Sequence, residues 1–189
     1  MNDKDIKIVE TAFQLFAHYS VSKTSMAEIA SAAGMARQTV YNSFESKEDL
    51  IFAVFLHYAG QAKAIIEREC AEITELDLRL EVLFKHLAYI PFESMQTLPH
   101  LDEILAMGDS LSNEKKVQIR DTSICAIKHV FLPFENQLSE QGIVPAQLYD
   151  LMKSILIQIK RDASDADHLR KLLEPIKALL LSSLEQPMQ

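Results

Sequence analysis

Residues 24–50, TSMAEIASAAGMARQTVYNSFESKEDL, constrain this chain more than any other stretch. Thr24 and Ser25 are hydroxyl residues suited to a helix N-cap, and Ser25 with Glu28 three places on makes a capping box. Met26, Ile29, Ala30 and Ala33 then share one helical face. Gly34 stands where that helix must stop and turn, a position that asks for positive φ. A second short helix follows, with Val40 and Phe44 directed inward. Arg37, Gln38, Tyr41 and Asn42 are directed outward, with Thr39 at the edge. A small residue at the crossing, a glycine in the turn and a branched aliphatic on the second helix are the layout of a helix-turn-helix. Its second helix has a polar face shaped for a DNA major groove. A bare Ala-Gly-Val spacing alone also suits an ordinary αα-hairpin in a helical bundle.

The run GMARQTVYNSFESKEDL resembles the DNA-binding signature of the tetracycline-repressor (TetR) family of transcriptional regulators. Thr24, Ser25, Ile29, Ala30, Gly34, Thr39, Tyr41, Phe44, Ser46, Lys47, Glu48 and Leu50 match it in order, and beyond residue 50 the likeness fades. Two positions depart from the pattern. Ala36 opens the second helix of the motif where the family often has Ser or Thr, and Ser20 stands where it usually has Gly. The missing hydroxyl cap costs ~1 kcal/mol of helix stability.

On this motif the expected DNA-contacting residues are Lys23, Thr24, Ser25, Arg37, Gln38, Thr39, Tyr41, Asn42 and Lys47. Arg37 suits guanine O6/N7, and Gln38 or Asn42 suits adenine N6/N7. Thr24, Tyr41 and Lys47 suit phosphates, which set register without reading sequence. The implied activity is that of a ligand-responsive repressor binding a pseudo-palindromic double-stranded operator as a homodimer. The alternative is a helical interaction or small-molecule-binding protein whose helix-turn-helix does not bind DNA.

Net charge is −8, which at first sight opposes a nucleic-acid partner. Residues 1–50 carry five basic and seven acidic groups, so only −2 of it lies there and −6 lies beyond. With a Debye length of ~8 Å at physiological salt, distal acid is screened from bound DNA. The composition, 48% hydrophobic with four glycines and six prolines, and helical periodicity almost throughout predict an all-α fold. Cys70 and Cys125 read as buried free thiols of a reducing compartment. No CxxC, HExxH, nucleophile–base pair or Gly-rich phosphate loop occurs, so neither catalysis, a cofactor nor a metal is expected. The N-terminus has no signal-peptide core, and no apolar run is read as reaching the ~18 residues of a membrane span. A soluble cytoplasmic protein without a membrane partner is the expectation.

A first helix, capped by Asp3 or Asp5, carries Ile6, Val9, Phe13, Phe16 and Ala17 on one face. A helix starting at Ser46 follows the motif, capped by Ser46 with Asp49. Further helices are expected from Glu75 to a stop near Pro91 and from His100 to Met107. After Asn113 one runs with a kink at Pro133, another spans Pro145 to Arg161, and the last follows Ser164, capped with Asp167, and continues to Leu184 with a bend at Pro175. The tail, residues 185–189, is expected to fray. A DNA-binding domain over 1–48 and an effector-binding and dimerisation domain over 49–189 complete the organisation. The last two helices are apolar around much of their circumference and so need partners on two sides. The resemblance implies a dimer interface there, for which Leu151, Ile155, Ile159, Leu172, Ile176 and Leu180 are the candidates. It also implies a pocket for an unknown small-molecule effector, with Tyr89, Phe92, Met107, His129 and Tyr149 as candidate lining.

Overall fold

The computed structural model describes residues 1–185, so most of the tail expected to fray lies outside the described residues. The described elements are helical: α1 (Asp3–Tyr19), α2 (Met26–Ala32), α3 (Arg37–Ser43), α4 (Lys47–Cys70), α5 (Leu76–Phe84), α6 (Ile90–Thr97) and α7 (Leu101–Ser110). They continue with α8 (Asn113–Phe131), α9 (Glu135–Glu140), α10 (Pro145–Asp162) and α11 (Ala166–Glu185). A π-helical turn, Lys85–Tyr89, joins α5 to α6, and a 3-10 turn, Leu132–Phe134, joins α8 to α9 at Pro133. Two caps differ from expectation. Asn2, ahead of both aspartates, accepts from the Asp5 N–H at 2.9 Å, and Asp165 accepts from the His168 N–H at 2.8 Å at the start of α11. Each is the acceptor three residues before the N–H it satisfies.

The chain divides into two units, and not at 48/49. The first comprises Met1–Gly60 together with Ser94–Arg120; the second comprises Gln61–Glu93 and the chain from Asp121 on. The reason lies in where α7 buries its apolar residues. Leu101 and Ile104 join Ile8, Phe16, Ile29, Val40, Leu50 and Ile51 in the first unit's core. The His100 N–H also donates to the Ala17 carbonyl at 3.1 Å. Helix α7 runs through Gly108, where the sequence suggested a stop. A Cβ there would stand 2.5 Å from the Phe55 ring, so the missing side chain lets α7 approach α4. Helix α4 is long and apolar enough to cross a membrane by length and composition, with a mean hydropathy of 1.2, contrary to the expectation of no such run. Buried Leu50, Ile51, Val54 and Ile66 show what its apolar residues do in this fold.

The second unit's core is built from α5, the C-terminal parts of α4 and α8, and α9–α11, around Leu80, Leu83, Phe84, Ile127, Phe131 and Leu169. Arg79 is inside it, 7% exposed. Its guanidinium donates to the carbonyls of Ile73 (2.7 Å), His129 (2.8 Å), Val130 (3.3 Å) and Cys70 (2.9 Å). Cys70 ends α4, and His129 and Val130 belong to the last turn of α8, so one cation serves carbonyls that helix ends leave unpaired.

Pro91 does not end its helix. It lacks the N–H that would bond the Leu87 carbonyl four residues back, and the helix widens into the π turn just before it. The orphaned Leu87 carbonyl accepts instead from Lys160 Nζ of α10 at 2.7 Å. Burial, with a smaller contribution from Arg161, pushes the Lys160 ammonium down from 10.5 to about 8. The unfolded chain therefore binds more protons than the folded one between about pH 8 and 10.5, and stability rises with pH across that window. Urea unfolding between about pH 8 and 9.5, before tyrosines ionise, is expected to show a slope of up to ~1.4 kcal/mol per pH unit. Lys160→Met should flatten it and lower stability at every pH. The Cys70 thiol, pushed up by burial, gives an opposite slope in this window in both proteins, so a wild-type profile parallel to that of Lys160→Met would contradict this account.

Candidate nucleic-acid interface

Ser25 and Glu28 close the capping box at the start of α2. The Glu28 carboxylate accepts from the Ser25 N–H (2.7 Å) and hydroxyl (2.8 Å), while Ser25 Oγ accepts from the Glu28 N–H (3.2 Å). These bonds hold the Glu28 carboxyl below its usual range. Gly34 ends the helix at φ 68°, and the Met35 N–H returns to the Ala30 carbonyl at 2.8 Å. That turn lays α3 across α2, with Val40 fully buried and Phe44 closing the far end. Ala36 caps α3 without any side-chain bond, as its lack of a hydroxyl requires.

Arg37, Gln38, Tyr41 and Asn42 all emerge on the exposed side of α3, and Thr39 is half-buried at its edge. Gln38 Nε2 donates to Asn42 Oδ1 at 2.8 Å, one turn apart. The unbonded polar atoms of the two amides are left for other partners. Lys23 is exposed ahead of α2, and Ser25 is exposed but engaged in its cap.

Thr24 and Lys47 are placed differently from the phosphate contacts expected of them. Thr24 is buried and its hydroxyl donates to the Ser20 carbonyl at 2.8 Å. Lys47 Nζ donates to the Val21 carbonyl at 2.8 Å. Both brace the turn between α1 and α2. At its centre is Ser20, a fully buried residue with φ 83° and ψ 143°, in a region of backbone space that is essentially glycine's. Such a conformation costs ~1–3 kcal/mol in a residue with a Cβ and persists only when its surroundings over-determine it.

Here the surroundings are a carboxylate that sequence reasoning missed. Glu103 of α7 accepts from Ser20 Oγ at 2.7 and 2.8 Å, from the Val21 N–H at 2.6 Å and from the Ser22 N–H at 3.4 Å. These donors, the Ser20 hydroxyl foremost, hold the Glu103 carboxyl below its usual range. Lys115, at the start of α8, was also missed. It bonds Glu48 (3.0 Å) and Asp49 (2.8 Å) on the first turn of α4. The sequence's one signal was the departure from glycine at Ser20, which poses the question Glu103 answers.

The five candidate effector residues are divided between the two units. Met107 packs in the first unit, whereas Tyr89, Phe92, His129 and Tyr149 belong to the second. Phe92 and Tyr149 are core residues, and the Tyr149 hydroxyl donates to Glu135 at 2.7 Å. His129 pairs with Glu67. Two open grooves, of about 510 and 430 Å³, lie elsewhere, beside Tyr19, Lys23 and Glu28 and along Arg170, Pro175 and Ala178. Of the candidate interface residues, Leu151 is exposed, Ile155, Ile159, Leu172 and Ile176 are half-buried, and Leu180 is buried in its own core. Its neighbour Leu179 is 69% exposed in its place.

The sequence model described as "Bacterial regulatory proteins, tetR family" matches residues 8–54, which is α1 through the first turns of α4. A probable acrEF/envCD operon repressor of Escherichia coli (strain K12) is 32% identical over 113 residues, 54% of this chain. The chain spans about half that relative's length, 51%. Among solved structures, the fatty acid degradation regulator FadR from Bacillus halodurans shares the fold with a TM-score of 0.65 at 22% identity, covering 99% of each chain. AibR, in complex with isovaleryl coenzyme A and operator DNA, aligns with a TM-score of 0.57 at 20% identity over 94% of this chain and 97% of its own. Residues 8–54 thus match the tetR family of bacterial regulatory proteins, and the chain as a whole shares the all-helical fold of these solved structures.

Proposed function

We propose that the protein is a transcriptional repressor that binds a pseudo-palindromic operator as a homodimer in the cytoplasm and releases it when a small molecule binds the second unit. The observation that carries this reading is the exposed polar face of α3, Arg37, Gln38, Tyr41 and Asn42, on a helix locked from behind by buried Val40. Each such helix fits one major groove, and two-fold symmetry asks for half-sites roughly 34–36 Å apart. Exposed Leu151 on α10 and Leu179 on α11 supply apolar surface for the second copy. The operon-repressor relative supports repression, and the AibR complex supports joint response to DNA and a small molecule. An effector releases DNA only through unequal affinity for the DNA-bound and free conformations.

Selection of duplexes from a random-sequence library by the full-length protein tests the reading. Enriched duplexes should carry inverted half-sites about one helical turn apart and be retarded in a salt-sensitive gel shift. Enrichment of no sequence over the starting library would reject it. On the enriched duplex, Lys23→Ala should weaken binding to all sequences alike and reduce the log–log salt slope by about 1.

A further inference from the structure

We propose that Glu103 is a positioning residue for DNA binding: its carboxylate holds the turn between α1 and α2 in the one backbone shape that aims α2 and α3 at a duplex. This rests on the DNA-binding reading above and adds a residue outside the helix-turn-helix. The carboxylate grips three consecutive residues, through Ser20 Oγ, the Val21 N–H and the Ser22 N–H. The opposite edge of the Val21 peptide is held by Lys47 Nζ. Helix α4 is in turn tied at Glu48 and Asp49 by Lys115. Both Glu103 and Lys115 lie in residues 94–120, the segment that leaves the second unit within α6 and returns to it within α8. The turn at Ser20 is therefore held by the part of the first unit that is continuous at both ends with the second.

Serine at a glycine-like conformation makes this arrangement releasable. With the carboxylate in place, Ser20 keeps φ 83° because Glu103 holds its hydroxyl and the Val21 N–H, while the Ser22 N–H is shared between Glu103 (3.4 Å) and Ser20 Oγ (3.2 Å). Withdrawal of α7 removes the acceptor from the Ser20 hydroxyl and the Val21 N–H together, and Ser20 is free to relax to negative φ. Glycine at this position would hold the turn without help and would not respond.

The test compares wild type, Glu103→Ala, Ser20→Gly and the double variant, all full length. Amide hydrogen exchange over residues 20–24 reads the clamp without DNA, and anisotropy on the duplex enriched by wild type reads affinity. Glu103→Ala is expected to speed exchange at Val21 and Ser22 at least tenfold and to weaken DNA binding about tenfold. Adding Ser20→Gly should restore affinity to within about threefold of wild type. A Glu103→Ala protein that binds as wild type overturns the proposal, as does a loss that Ser20→Gly leaves uncorrected. Should Glu103→Ala fail to fold, Glu103→Gln takes its place; it keeps one acceptor oxygen and is expected to bind about threefold more weakly, and wild-type affinity there overturns the proposal. If wild type enriches no duplex, the DNA-binding reading fails, while the exchange measurement still decides whether Glu103 holds the turn.

Discussion

Replacing Arg79 by alanine is expected to destabilise the protein by about 3–5 kcal/mol and lower Tm by roughly 10 °C or more. The side chain is buried, and the partners described above are four backbone carbonyls drawn from two helix ends and the link after α4. Removing it leaves those oxygens in apolar surroundings, each costing ~1–3 kcal/mol unless water reaches it. Arg79→Met keeps most of the stem's packing and should recover little, since the loss is in donors. Arg79→Lys should recover only part, because an ammonium offers three donors from one point and cannot span carbonyls that the guanidinium fork reaches separately. Urea unfolding of the three variants decides the matter, and an alanine variant within about 1 kcal/mol of wild type would show that the carbonyls find other partners.

On the proposed reading, in which Arg37 pairs with guanine through a bidentate contact worth ~1–3 kcal/mol, Arg37→Ala is expected to weaken binding to the enriched duplex about 10–100-fold. On a random duplex the loss should be a few-fold, since only phosphate attraction remains there. The same variant should relax the preference for one base pair per half-site in a repeated selection. Arg37 lies at the first turn of α3, exposed, next to the residue that caps the helix only through its backbone. Equal losses on both duplexes would move Arg37 from base reading to phosphate contact.

The helix-turn-helix was legible because everything that shapes it is local. Ser25 finds Glu28 three residues away, and Gly34 marks the turn by lacking a Cβ. Sequence reasoning failed where the deciding partner is distant. Ser20 reads as an odd residue at a glycine position until Glu103, 83 residues on, is seen to hold it. Pro91 reads as a stop because its consequence is repaired by Lys160, 73 residues from Leu87. The make-up of the two compact units was hidden for a related reason: Leu101 and Ile104 look alike whichever core they enter, and only packing assigns them. On α11 the run of leucines left Leu179 and Leu180 indistinguishable, although the first is exposed and the second buried. Thr24 and Lys47 match a DNA-binding pattern, and nothing in the sequence signals that each also bonds the turn's own backbone, since those carbonyls belong to no motif.

The bond from Gln38 to Asn42 has a consequence for anyone wishing to retarget this protein. On the proposed DNA-binding reading, two amides that grip each other act as a single letter-reading unit, so altering either one also re-aims its neighbour. A library varied at one of these positions at a time would explore distorted versions of the original preference, whereas joint variation at 38 and 42 opens new alphabets.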